Sequence, residues 1–351
     1  MSSVSQTPGK KIPSPIRRRD TVVMGRRDFF SEVIRLMGVE LYKLRRRAMS
    51  KVLSISGLII TLIAFGLYAA ISISASSSPA SHFLPATCTQ ASQAAGPCLN
   101  HTPTPLEAEQ AKQTMLKTLS EPLRIPGSLG TVGMITSTIG LILIIILAGT
   151  IVGGEYNVGT IRLMFTRGPT RTQFFLAKLG AILVCLILGI FIVTLLSIAM
   201  GIISNILMGV AIDLKFLTVS WVLHAILYML TIMFGLFIYA MLALCLSTLG
   251  RTTAAGVAGA LVWWVVENAL GGIITLVGPR VQGALGRFLQ AIPAYFLNSN
   301  IEALSQNQDH YLFGNQPSSL TDLHAIVILA VYLILFIGLS WWVNERRDVT
   351  N

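Results

Sequence analysis

Six uninterrupted apolar runs constrain this chain more than any other feature. They are Val52–Ser74, Val132–Val152, Phe174–Asn205, Phe216–Leu246, Ala254–Val277 and Ala325–Val343. A helix needs about 20 apolar residues to cross a hydrocarbon core roughly 30 Å thick, and each run supplies about that or more. The longer ones predict tilt, or a helix that continues past the membrane. Strands of a membrane barrel would show as short alternating segments, and the sequence has none. Composition agrees: 53% of residues are hydrophobic and 12% charged, where soluble domains carry roughly 25% charged residues. The fold class expected is therefore an all-α integral membrane protein with six transmembrane helices.

The formal charge of +11 raises nucleic acid as a partner, but its distribution argues for orientation instead. Of 26 Lys and Arg, 13 precede the first apolar run, ending with Lys43, Arg45, Arg46, Arg47 and Lys51. If that segment is cytoplasmic, six crossings return the C-terminus to the same side. Seven more basic residues then fall inside (Arg162, Arg167, Arg171, Lys178, Arg251, Arg346 and Arg347) and six outside. This asymmetry obeys the positive-inside rule and predicts a multi-pass protein of a plasma membrane with both termini cytoplasmic. Membrane lipids, anionic ones included, are the expected partners of the basic segments, and nucleic acid is not.

The chain divides accordingly. Residues 1–28 form a basic tail rich in Ser, Pro and Arg, without apolar periodicity, and are expected to be disordered. Residues 29–51 form an interfacial helix: Phe30, Val33, Ile34, Met37, Leu41 and Leu44 recur at helical spacing, with Glu32, Arg35, Glu40 and Lys43 mostly off that face. The six-span domain covers 52–343, with outer segments at 76–131 and 278–323, and a cytoplasmic tail follows at 344–351. A short helix is expected over Leu106–Leu119, stopped near Pro122. A second, with Val281, Leu285, Phe288, Leu289 and Ile292 on one face, is expected to lie at the outer leaflet. Cys88 and Cys98 share the first outer segment, where a disulfide can persist; Cys185 and Cys245 lie in spans and read as small packed groups. No Cys/His spacing suits a metal.

Between the second and third runs lies G-G-E-Y-N-V-G-T-I-R, Gly153 to Arg162, followed by L-M-F-T-R-G-P-T-R-T-Q. Gly153-Gly154 reads as the end of the second span. Glu155 then opens a new helix, its carboxylate suiting the positive end of the dipole. Val158, Ile161, Met164 and Phe165 give that helix one apolar face, and Gly168-Pro169 stops it. Thr170-x-x-Gln173 has the capping-box pattern for the start of the third span. The expected product is a rigid cytoplasmic helix over 153–169, held crosswise by two spans. On these residues alone it is either an interfacial re-entry loop or a handle for a soluble partner.

Polar residues inside the apolar runs are few. Glu267, with Asn268, lies in the fifth run; a carboxylate at that depth marks a translocation path by default, or else pairs structurally with a neighbour. His224 reads as a packed or interfacial ring. Gly256-x-x-x-Ala260 permits close helix approach, and Asp322 and His324 read as caps of the last span.

The run E-Y-x-x-G-T-x-R-x-x, Glu155 to Met164, followed by a basic, Pro-containing turn and Lys178, resembles the permease subunits of ABC transporters of the type-2 (exporter) family. E-L-Y-K-L-R-R-R, Glu40 to Arg47, resembles the elbow helix that opens such permeases, and E-R-R-D, Glu345 to Asp348, their charged end. The resemblance implies that 153–169 is a coupling helix docking on a separate ATP-binding subunit, through Glu155, Tyr156, Val158, Gly159, Thr160, Ile161, Arg162, Phe165 and Arg171. It also implies a second permease copy or homologue, and an amphiphilic, drug-like or lipid-linked substrate. The chain has no G-x-x-x-x-G-K-[ST], so ATP and Mg belong to the partner and this chain carries no cofactor and no catalytic residue. Two other readings compete: a non-transporting scaffold or sensor anchoring a cytosolic partner, and an intramembrane enzyme, for which no triad or H-E-x-x-H pattern is present.

Overall fold

Long apolar helices dictate the architecture. In the computed structural model, which describes residues 28–83, 104–158, 170–207 and 214–346, six helices are long and apolar enough to cross a membrane. An N-terminal helix, α1 (Phe29–Arg46), precedes the first of them, α2 (Ala48–Ser77). A short helix α3 (Pro105–Ser120) leads to the second span, which is built of α4 (Gly127–Ile135), a five-residue π turn (Thr136–Gly140) and α5 (Leu141–Val158). The third to fifth spans are α6 (Arg171–Leu207), α7 (Val219–Gly250) and α8 (Thr253–Val277). Two further helices, α9 (Ala284–Ala291) and α10 (Leu297–Phe313), precede the last span, α11 (Asp322–Arg346). No strand occurs among the described residues. The six expected spans are all present, with ends displaced by a few residues. At 37 residues α6 is about 55 Å long, so it overshoots any bilayer core.

Helix α7 is the axis of the bundle. Of its most apolar stretch 61% is buried, against 22% for α2, α6 and α11 and 11% for α8. It runs against α5, α8, α10 and α11, and its segment Ile238–Cys245 is sealed from solvent. The outer faces of α2 and α6 are exposed among the described residues, at Ile55, Ile63 and Leu67 and at Leu188, Phe191 and Leu195. Uncovered apolar surface on this scale needs lipid or another protein.

Small residues let three helices approach closely. At Gly149 a Cβ would stand 2.7 Å from Val257 Cγ2, and at Gly153 it would overlap the backbone of Thr253. Gly256 in turn faces the Ala243 carbonyl and Ser247, and Ala260 is sealed, so the expected close approach at Gly256-x-x-x-Ala260 is present. Ser247 Oγ donates to the Gly149 carbonyl at 3.1 Å, where α5, α7 and α8 meet. The α7–α8 turn is correspondingly tight, with Arg251 in the left-handed region (φ 54°) and Thr252 capping α8 through Ala255 N–H.

This corrects one sequence expectation. Gly153-Gly154 does not end the second span: α5 continues without a break to Val158, and Glu155 sits in its last turns, not at the start of a new helix. Gly153 serves close packing, and its partner Thr253 lies 100 positions along the chain. Several other expectations match. α3 covers the helix read at Leu106–Leu119, and Thr170 and Gln173 form the capping box, each side chain accepting from the other's backbone N–H (3.2 and 3.0 Å). Helix α9 covers part of the second outer helix, with Leu285 and Phe288 exposed on its apolar face. Asp322 and His324 do not cap α11: Thr321 accepts from His324 N–H, while the two side chains bind Asn307 and the Ala294 carbonyl. His224 stacks on Tyr311, and Cys185 and Cys245 are free thiols packed among apolar groups. Cys88 and Cys98 lie outside the described residues.

Candidate functional site

One end of the bundle gathers α1, the end of α5, the start of α6 and the end of α11. It carries Arg45, Arg46, Arg47, Arg171 and Arg346 and is called the basic face below. Helix α1 is amphipathic, and it packs through part of the face that apolar spacing selects, at Met37 and Leu44, with Glu40 buried beside them. Phe30 and Ile34 are exposed, while Leu44 and Glu40 are buried, Glu40 at 4% exposure. The helix docks along α6, where Met37 Sδ fills the space that a Cβ on Gly180 would need, 2.7 Å away.

Glu40 is buried because two lysines meet it there. Lys43 Nζ donates to Glu40 Oε1 at 2.8 Å and to Glu155 Oε1 at 3.2 Å. Lys178 Nζ lies 2.6 Å from Glu155 Oε2 and 3.8 Å from Glu40 Oε1, and donates to the Ile151 carbonyl at 3.1 Å. It also sits over the Phe174 ring, 4.5 Å from its centroid. Two carboxylates and two ammonium groups thus close a loop from α1 to α5 to α6. Glu155 and Lys178 are 4% and 3% exposed, so each charge depends on its partners. Beside them a cavity of about 20 Å³, lined in part by Tyr156, Phe175 and Asn344, has room for a single water. Arg47 adds a 3.4 Å hydrogen bond from Nη1 to the Thr150 carbonyl.

A second clasp lies on the other side of the same turn. Arg171, the first residue of α6, donates through Nη1 to the carbonyls of Asn344 (3.1 Å) and Glu345 (2.9 Å). These belong to the last turn of α11, whose carbonyls lack partners within the helix and carry the negative end of its dipole. Thr172 Oγ1 donates to Glu345 Oε1 at 2.8 Å and Asn344 Nδ2 to the Arg171 carbonyl at 3.4 Å. Residues on both flanks of 159–169 are therefore fastened, one to α1 and the other to α11.

At the opposite, distal end, Glu267 is buried and binds the start of α10. Its Oε1 accepts from Asn298 N–H at 2.9 Å and its Oε2 from Trp263 Nε1 at 3.0 Å. Helix α10 has no cap of its own, so a carboxylate of α8 supplies it. Asn298 Nδ2 donates to Asn268 Oδ1 (3.2 Å), and Asn268 lines a cavity of about 230 Å³ between α5, α7, α8 and α10.

The family described as ABC-2 family transporter protein matches residues 40–349, nearly the whole of the region just described. The chain belongs to the ABC-2 transporter family. It is a permease, a multi-pass membrane transport subunit with an all-α fold. No curated protein matches it.

The permease brings together only some of the residues singled out from sequence. Glu155 and Tyr156 occupy the end of α5, Val158 is its last residue and Arg171 opens α6. Gly159, Thr160, Ile161, Arg162 and Phe165 lie outside the described residues, as does most of the segment 153–169. Glu267 and Asn268 lie together, with Glu267 bonded to Asn298 and Trp263 and Asn268 facing the 230 Å³ cavity. Sequence reasoning left Glu40 and Lys43 unassigned as buried partners. The available signal was Lys178, an ammonium inside F-F-L-A-K-L-G, which needs a carboxylate brought from elsewhere.

Proposed function

We propose that this permease is the membrane half of an ATP-driven exporter. It works with a separate ATP-binding subunit that carries ATP and Mg and grips the 155–167 segment at the cytoplasmic face. One observation carries the reading: the Glu40–Lys43–Glu155–Lys178 loop ties the end of α5 to α1 and α6, beside the segment that the partner would hold. A push on residues 159–169 from a closing ATPase then reaches four helices together, α1, α5 and α6 through the ion loop and α11 through Arg171. The positive-inside rule supports a cytoplasmic position for the basic face, at a plasma membrane. Bare apolar faces on α2 and α6 suit a second permease copy or homologue completing the pore, with lipid on the remainder. The cargo is an amphiphilic, drug-like or lipid-linked molecule, exported.

The test is co-expression with the candidate ATP-binding subunit in proteoliposomes. Arg162→Ala and Glu155→Gln should lower substrate transport per ATP hydrolysed by about tenfold, with the complex still assembled. Unchanged transport and assembly in both variants would remove the coupling assignment. If no ATPase is recovered with the chain in mild detergent, the scaffold reading replaces the exporter.

A further inference from the structure

The distal half of the bundle holds two adjoining chambers that the ion loop does not explain. The outer one, about 540 Å³, opens among the starts of α4 and α7 and the helix α10; the inner is the 230 Å³ cavity beside Asn268. Ser137, Ile232, Glu302 and Ser305 line both, so the chambers share a wall. Their combined character is unusual for this protein. The chain has a formal charge of +11, yet no Lys or Arg lines either chamber among the described residues. Glu121, Glu302 and Asp309 all do. None of the three makes an ion pair among the described residues. Glu302 accepts a 3.3 Å hydrogen bond from the Gln306 side chain, and Asp309 a 2.5 Å one from Asn315.

A second observation points to a ligand at the inner end. Tyr239 forms part of the inner wall, is 0% exposed, and its hydroxyl has no hydrogen-bond partner among the described residues. A buried O–H is costly to leave without an acceptor. The rest of the lining carries no charge: aromatic and apolar groups, with Trp264 inside and Tyr228 and Phe313 outside, alternate with neutral polar ones such as Ser137, Ser305 and Asn268. The outer chamber alone lies within the size range of pockets that bury drug-sized molecules.

We propose that these chambers bind an amphiphile bearing a delocalised positive charge, with Glu302 as its principal counter-ion and the Tyr239 hydroxyl donating to an acceptor oxygen at its inner end. The proposal deepens the transport reading and rests on it for the statement that this ligand is cargo. An inorganic cation is a poorer fit, because no three His, Cys, Asp or Glu among the described residues converge closely enough to hold a metal. Separated carboxylates with aromatic faces between them suit an organic cation, which aromatic rings also attract.

The test uses the full chain in lipid nanodiscs, with empty nanodiscs as the blank for dye partitioning. Rhodamine 6G, a cationic ester, is titrated against sulforhodamine B, which is anionic, with fluorescence anisotropy as the readout. Saturable binding of the cation is expected, weakened about tenfold by Glu302→Gln and about threefold by Tyr239→Phe, with no saturable binding of the anion. Glu302 is exposed, so its replacement should leave the protein monodisperse; Asp309→Asn is a second surface-side variant, expected to weaken binding severalfold. Wild-type affinity in both acidic-residue variants, equal binding of the anion, or no saturable binding of the cation would overturn the proposal. These outcomes separate from the exporter reading. Dye binding that survives when no ATPase partner is found removes the exporter alone, and ATP-driven transport that persists without charge-selective binding removes this inference alone.

Discussion

Replacing Lys178 with Met tests the ion loop most directly. The methylene stem remains, but the loop loses the 2.6 Å contact to Glu155, the 3.8 Å contact to Glu40 and the bond to the Ile151 carbonyl. Two buried carboxylates are then left with Lys43 alone, 2.8 and 3.2 Å away, so the site carries one uncompensated negative charge. Removing one partner from a buried pair costs about 3–5 kcal/mol, because the remaining charge stays desolvated. Glu155→Gln leaves the opposite imbalance, with Lys178 facing only the more distant oxygen of Glu40, and should cost a similar amount. The double variant restores neutrality and keeps the 2.8 Å Glu40–Lys43 pair. It should therefore lose less than either single change, whereas independent sites would add. Reversible unfolding in nanodiscs, followed by steric trapping or denaturant titration, measures all four corners of the cycle. A double variant as destabilised as the sum of the singles would refute the loop as a cooperative unit. Transport by a well-folded double variant would separate stability from coupling, since stability should recover and coupling should not.

Two further predictions concern packing and capping. Gly153→Ala should collapse the yield of monodisperse permease in fluorescence-detected size exclusion, since its Cβ overlaps the Thr253 backbone. The neighbouring Gly154→Ala meets nothing nearer than Arg47 Nη1 at 3.8 Å, and should be neutral or stabilising by about 0.5–1 kcal/mol through helix propensity. Equal behaviour of the two would remove the close-approach argument. Glu267→Leu leaves Asn298 N–H and Trp263 Nε1 without acceptors; both bonds are part-buried, so the cost should fall at or below about 1–3 kcal/mol, the range for a buried donor. Hydrogen exchange should accelerate first over residues 297–301 of α10, and unchanged protection there would rule out the capping role.

How far the sequence carried depended on the range of each interaction. The six spans follow from apolar length, and the Thr170–Gln173 cap from side chains three residues apart, so both were readable locally. Gly153-Gly154 was ambiguous because a glycine that permits a bend and one that admits a neighbouring backbone look alike until Thr253 is in place. Glu40 was assigned to the solvent side of α1 because hydrophobic periodicity has no symbol for a buried carboxylate; its burial requires Lys43 and Lys178 together. Helix α10 was missed for the opposite reason. Its 17 residues, L-N-S-N-I-E-A-L-S-Q-N-Q-D-H-Y-L-F, are mostly polar. Its stability comes from Leu297, Leu304 and Leu312 against the bundle, and from a cap that another helix lends.

The π turn at Thr136–Gly140 has a further consequence for the second span. Such a turn is equivalent to one extra residue accommodated within an α-helix. It therefore fixes the rotational phase between the part of the span that faces the distal chambers, through Ser137 and Thr138, and the part that carries Gly149, Gly153 and Glu155. Deleting a single residue there would remove the bulge and let the second span close into a regular α-helix, with its two parts close to their present relation. Side chains on either side of the turn would then keep their directions, and only those within 136–140 would change theirs. Among relatives of this permease, a one-residue gap over 136–140 should therefore accompany an unchanged pattern of residues on both sides of the turn.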